Sequence, residues 1–152
     1  MAIQGSRVTY LDIAEDKVFM ASPETPIQEI ARTMVDYWID SIFIVNKHEE
    51  ILGIITDGVI LMLIANNKNL EGVKAGEVMA TPVYCVKGDE PIVPYEKLKE
   101  TFSKKHNRVK RVGIINNQNK LIGVVNMGFL KKIGKFSRSF EITLKKRSNS
   151  NE

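Results

Sequence analysis

The sequence predicts an α/β fold, with tandem β-α-β-β-α repeats packed through their sheets in pseudo-two-fold symmetry. Three observations predict it. Residues 51–60, ILGIITDGVI, are echoed by residues 121–130, LIGVVNMGFL, with two aliphatics, a glycine, two β-branched residues, a polar residue and a second glycine in the same places. Around both stretches, short aliphatic runs alternate with segments of helical periodicity. The chain's 152 residues suffice for one domain of ordinary size, whereas a single unit of roughly fifty residues has too small a core to stand alone.

The two halves can be followed in register. Residues 12–18 (DIAEDKV) lie over 77–83 (EVMATPV), 26–34 (PIQEIARTM) over 94–102 (PYEKLKETF), and 42–46 (IFIVN) over 112–116 (VGIIN). Extra residues fall between elements, where a duplicated fold tolerates them. Each copy opens with a short apolar strand, VFMA at 18–21 or VYCV at 83–86. The helix after it carries Ile27, Ile30, Ala31, Met34 and Trp38 at helical spacing. Thr25 is expected at its N-cap, with Pro26 at the first helical position and Gln28 completing a capping box. Two strands follow, IFIVN and ILGIIT, joined by the polar turn KHEE, or by NQNK in the second copy. Their unbroken aliphatic runs point to strands covered on both faces. The last helix of each copy starts after Thr56 or Asn126 and runs through VILMLIA or FLKKI.

Composition bounds the function. With 43% hydrophobic and 26% charged residues the chain reads as a soluble globular protein. The N-terminus lacks the pattern of a signal peptide, and the longest apolar run, Val59 to Ala65, is too short to span a bilayer. A cytoplasmic protein without membrane contact is expected. Cys85 lies in an apolar stretch, where a small buried hydrophobe is its expected role. His48 and His106 have no metal-ligand spacing, and no nucleophile–base pair or catalytic carboxylate pair can be named, so neither a metal site nor an enzyme is expected. The net charge of +4 is unevenly spread: residues 1–80 carry 6 basic and 12 acidic side chains, and residues 81–152 carry 16 and 6. Such polarity fits a polyanionic ligand, nucleic acid or a complementary contact between subunits.

The order of elements, Val78 and Met79 ahead of the second copy, the step from Gly53 to Thr56 and the tandem arrangement together resemble a CBS domain pair, or Bateman module. The resemblance covers a first repeat at 8–70 and a second at 71–134, and leaves a basic tail at 135–152 in which FEITL could add a strand. In that family the segment after the third strand reads G-h-x-[ST]-x-x-D; its hydroxyl binds the phosphate of an adenosine nucleotide and its Asp holds the ribose. The resemblance therefore implies a site at Thr56. Val59 occupies the Asp position, and Asp57 stands two residues too early, a turn of about 200° on a helix. In the second copy Asn126 replaces the hydroxyl and Phe129 fills the Asp position, where it should narrow or close the pocket. By position, the family's other contacts fall on Ala21, Ser22, Ser41 and Ile42 in the first repeat, and on Val86, Lys87, Arg111 and Val112 in the second. Within the basic run KKHNRVKR at 104–111, Lys110 or Arg111 could reach a polyphosphate. A plainer reading stands beside this one. Thr56, Asp57 and Asn126 are what any helix start favours, an oxygen cap or a first-turn charge worth about 1 kcal/mol.

Three functions from different classes follow. The resemblance implies a stand-alone regulatory module that senses an adenosine-type ligand of the AMP, ATP or S-adenosylmethionine class, requires no cofactor and signals to a partner protein. A homodimer is expected, because such pairs bury apolar helix faces together and VILMLIA offers more apolar surface than one helix stripe needs. The second function is a ligand-free dimerisation and interaction scaffold, favoured by Val59 and Phe129. The third is nucleic-acid binding through the basic C-terminal half, which lacks an aromatic-interleaved platform.

Overall fold

The computed structural model describes residues 8–15, 17–101 and 110–133. The tail with FEITL, and Lys104, Lys105 and Arg108 of the basic run, lie outside the described residues. The first repeat contains β1 (Met20–Ala21), α1 (Ile27–Tyr37), β2 (Ser41–Val45), β3 (Ile51–Thr56) and α2 (Asp57–Ala65). A one-turn helix, α3 (Ala75–Val78), leads into β4 (Cys85–Lys87), α4 (Tyr95–Thr101), β5 (Arg111–Ile115) and β6 (Leu121–Asn126), and residues 127–133 form α5. The strands form two three-stranded sheets, β1-β2-β3 and β4-β5-β6, each with one parallel and one antiparallel pair.

The duplication holds at the level of single hydrogen-bonded pairs. Ser41 faces Thr56 and Ile44 faces Gly53 in the first sheet; Arg111 faces Asn126 and Ile114 faces Gly123 in the second. Both ladders shift register at the same point, after Ile44 and after Ile114. Both turns are tied alike. Asn46 Oδ1 accepts from the amides of His48 and Glu50, and Asn116 Oδ1 accepts from those of Gln118 and Lys120.

The lead-in segments cross between the repeats. Glu15 N–H donates to Val124 O of β6, whereas Ala80 and Ile54 of β3 exchange both backbone bonds. Likewise Thr9 bridges to Pro91 and Lys74 to Pro26. Tyr10 is buried with Leu98, Val112, Ile114 and Val125 of the second repeat, with Ile13 and Ala14 packed alongside. Ala75 is buried with Ile27, Ile30, Met34, Ile44 and Ile55 of the first, with Val78 and Met79 alongside. A third cluster, Phe43, Val45, Leu121 and Val124, joins the two sheets. The sheets therefore meet face to face through a small seam, and each core is completed by the other repeat's lead-in.

Two expectations about α1 are corrected. The expected capping box does not form. Pro26 rather than Thr25 is the N-cap, it makes no side-chain cap bond, and Ile27 N–H donates instead to Val73 O of the crossing segment. Thr25 pairs its hydroxyl with Ser22 at 3.2 Å. Trp38 does not continue the apolar stripe either. The helix stops at Tyr37, Trp38 takes the left-handed C-cap conformation (φ 54°, ψ 42°), and its side chain is 93% exposed.

Candidate functional site

Asp40, just before β2, and Arg111, the first residue of β5, lie side by side and carry opposite charges. Arg111 donates from one guanidinium nitrogen to both carboxylate oxygens of Asp40, at 3.0 and 2.9 Å. The Arg111 side chain is 16% exposed and that of Asp40 44%. Asp40 and Lys110, the neighbour of Arg111, are each tied to a helix start, since Asp57 N–H donates to Asp40 O (3.0 Å) and Met127 N–H to Lys110 O (2.8 Å). The ion pair therefore sits between the first turns of α2 and α5.

A cavity opens on either side of it. The larger, about 360 Å³, is lined by Asp40, Tyr95, Lys110, Arg111, Asn126, Met127, Gly128 and Lys131. Three cations face one carboxylate there, so the cavity favours an anion. The smaller, about 200 Å³, is lined by Glu15, Lys17, Phe19, Trp38, Ile39, Asp40, Ser41, Phe43, Arg111 and Val124. Its two cations and two carboxylates balance.

Comparison with known proteins bears on the fold. Residues 11–66 match the CBS domain family. An uncharacterised protein of Methanopyrus kandleri is 32% identical over 117 residues, which cover 76% of this chain. The chain spans 57% and 23% of the lengths of the curated relatives it matches. Among solved structures, a CBS domain pair in complex with 5′-methylthioadenosine and S-adenosyl-L-methionine superposes with a TM-score of 0.67 at 23% identity, covering 86% of this chain and 98% of that one. A CBS domain protein of Pyrobaculum aerophilum complexed with AMP gives 0.66 at 15% identity, covering 80% and 88%. The fold is that of a CBS domain pair.

Within the CBS pair, the residues expected at the site separate into two groups. Ser41 and Arg111 line the smaller cavity, and Lys110, Arg111 and Asn126 line the larger. Thr56, Asp57, Ala21, Ser22 and Ile42 line neither. Thr56 caps α2 by accepting from Val59 N–H (3.2 Å), Asp57 accepts from Gly58 N–H (2.8 Å), and Ile42 is buried in the first core. Ser22 is engaged with Thr25, and Ala21 pairs with Ile44 in the sheet. Val59 is buried in the same core as Ile42, so the first repeat offers no carboxylate at the ribose position.

Phe129, expected to narrow or close the second pocket, does not close the larger cavity. Phe129 is 42% exposed and is not part of the cavity wall; α5 turns Met127, Leu130 and Ile133 inward instead. Asn126 Oδ1 accepts from Gly128 N–H at 2.7 Å and so caps α5 while lining the larger cavity. Sequence reasoning passed over Tyr95, Lys131 and Asp40. The balance of acid and base at equivalent positions, Asp40 against Lys110, was the available signal for Asp40.

Cys85 is held in a structural setting, where burial pushes its thiol up to about 11. Among the described residues, no group of three or more His, Cys, Asp or Glu could hold a metal ion, and no helix is long and apolar enough to cross a membrane.

Proposed function

We propose that this CBS pair is a cytoplasmic regulatory module that binds an adenosine-type ligand of the AMP, ATP or S-adenosylmethionine class and passes the change to a partner protein. The carrying observation is the larger cavity, where Lys110, Arg111 and Lys131 converge beside Asn126 and Tyr95. Charge-assisted hydrogen bonds from such cations suit a phosphate or carboxylate group. An aromatic ring in the wall suits a flat base. About 360 Å³ lies within the range of small-molecule sites. The solved CBS pairs that hold AMP or S-adenosyl-L-methionine support the reading by analogy of fold.

This reading moves the site from Thr56 to Asn126. A thermal-shift series with AMP, ATP and S-adenosylmethionine tests it, since a ligand at one hundred times its dissociation constant adds about 2.7 kcal/mol of stability. Lys131→Ala and Asn126→Ala are expected to remove most of that gain, and Thr56→Ala to keep it after its own loss of cap stability is subtracted. Loss of the gain in Thr56→Ala alone would return the site to the first repeat.

A second reading, a ligand-free interaction scaffold, is favoured by the missing carboxylate at both ribose positions, with Val59 in the core and Phe129 on the surface. Both readings include a homodimer. It would form through the outer side of α2, where Leu61, Met62 and Ile64 are exposed.

A further inference from the structure

We propose that Arg111 is shared between the two cavities, so that an anionic ligand in the larger one takes it from Asp40 and the chain holds a single anionic ligand at a time. The inference rests on the larger cavity being a ligand site, as proposed above. Arg111 and Asp40 each line both cavities. Their contact uses one guanidinium nitrogen for both carboxylate oxygens, short of the two-nitrogen fork that Arg forms with carboxylates and phosphates. The Asp40 carboxylate is 44% exposed, so water can replace the cation it loses. A phosphate placed between Lys110 and Lys131 competes directly for the Arg111 fork.

The exchange changes the charge of the other cavity. With Arg111 drawn away, Glu15 and Asp40 face Lys17 alone, and the smaller cavity turns from balanced to acidic. A second anion is then disfavoured there. The same exchange is felt at both helix starts, because Asp40 O holds the amide of Asp57 and Lys110 O holds that of Met127. Asp40 is thus a positioning residue that competes for Arg111 without belonging to the ligand's own contacts.

Calorimetric titration of the full chain with AMP, and separately with inorganic pyrophosphate, tests the exchange. Asp40→Asn is expected to bind both probes about fivefold tighter than the parent, because removing the Asp40 charge from a partly buried ion pair releases Arg111. Asp40→Glu, which keeps the charge, is expected to stay near the parent value. Arg111→Ala is expected to bind at least about tenfold more weakly, and adding Asp40→Asn to it should change nothing further. The parent stoichiometry is expected to be one per chain. Should Asp40→Asn fail to fold, Asp40→Ser takes its place. AMP binding that is unchanged by Asp40→Asn, that tightens equally in the Arg111→Ala background, or that reaches two per chain overturns the exchange while leaving the ligand site standing. Absence of binding by every protein removes both.

Discussion

Gly53 and Gly123 occupy equivalent places in β3 and β6, yet their surroundings differ in a way that fixes what each substitution should do. A Cβ built on Gly53 would come within 2.5, 2.6 and 2.9 Å of Met79 Sδ, Cγ and Cβ. At Gly123 the one tight neighbour would be the Ala14 methyl, at 3.1 Å, with Ile114 in ordinary contact at 3.5 and 3.6 Å. Met79 and Ala14 belong to the two crossing lead-ins, so the repeated glycine exists because a foreign segment runs over each strand at that point. Gly53→Ala must displace the chain at Met79, and a loss of about 1–3 kcal/mol is expected from overpacking. Gly123→Ala should cost less than about 1 kcal/mol, because a shift of a few tenths of an ångström relieves it. Denaturant midpoints of the two variants check the order, and a larger loss at Gly123 would contradict it. Cys85 supplies a pH-dependent counterpart. Burial raises its thiol from 9.0 to about 11, so the unfolded chain gives up that proton first. Its contribution to stability is complete below about pH 9 and is lost as pH rises through about 11. Unfolding free energies at pH 8 and pH 10.5 should therefore fall less in Cys85→Ala than in the parent; equal falls would assign the loss to other groups.

At the scale of elements, strands and helices could be read from sequence because each depends on local periodicity. The order of elements within each repeat, the polar turns and the starts of α2 and α5 all follow from apolar runs, Asn turns and helix caps. The crossing could not be read this way. Tyr10 and Ala75 look like ordinary apolar residues in sequence, and which core they enter is decided by pairings distant along the chain, Thr9 with Pro91 and Lys74 with Pro26. The same crossing explains the misplaced cap of α1, because Val73 O satisfies an amide that a capping box would otherwise need to satisfy. It also sets an expected outcome. Tyr10 is 2% exposed, and its hydroxyl accepts from Val93 N–H in the second repeat. Tyr10→Ala should cost about 3–5 kcal/mol, as other buried aromatic truncations do. Hydrogen exchange locates the damage. Amides of β4, β5 and β6 should lose protection before those of β2 and β3, although Tyr10 precedes them all; the reverse order would mean that the lead-in belongs to the first core.

Across the whole molecule the pseudo-two-fold symmetry is broken at a few equivalent positions. Phe43 fills the seam between the sheets, where its counterpart Gly113 has no side chain and Ile51, Cys85 and Leu121 close in on the place its Cβ would take. Asp40 meets Arg111 across the axis, whereas the counterpart of Asp40 is Lys110, which makes one cavity basic and the other balanced. Of the proposed site, Lys110, Arg111 and Asn126 were legible in sequence beside Thr56, through the family pattern and the basic run; that Lys131 and Tyr95 join them around one cavity becomes visible only on folding. The outer helix faces break the symmetry a third time. Leu61 and Met62 of α2 are exposed, and the corresponding places in α5 are Lys131 and Lys132. Pairing α2 of one copy with α5 of another would set apolar side chains against lysines and strip water from unpaired charge, which is costly. Pairing α2 with α2 buries apolar surface on both sides. The proposed homodimer should therefore join first repeat to first repeat, against the head-to-tail order that the opposite charges of the two halves suggest. Leu61→Lys is expected to shift sedimentation at micromolar concentration to a monomer of 17.2 kDa, while Lys132→Glu leaves the dimer unchanged. In a Cys85→Ala background, Leu61→Cys should form a disulfide between copies under mild oxidation. A monomeric parent would remove the dimer altogether, and dissociation by Lys132→Glu with Leu61→Lys still dimeric would place the interface on the second repeat.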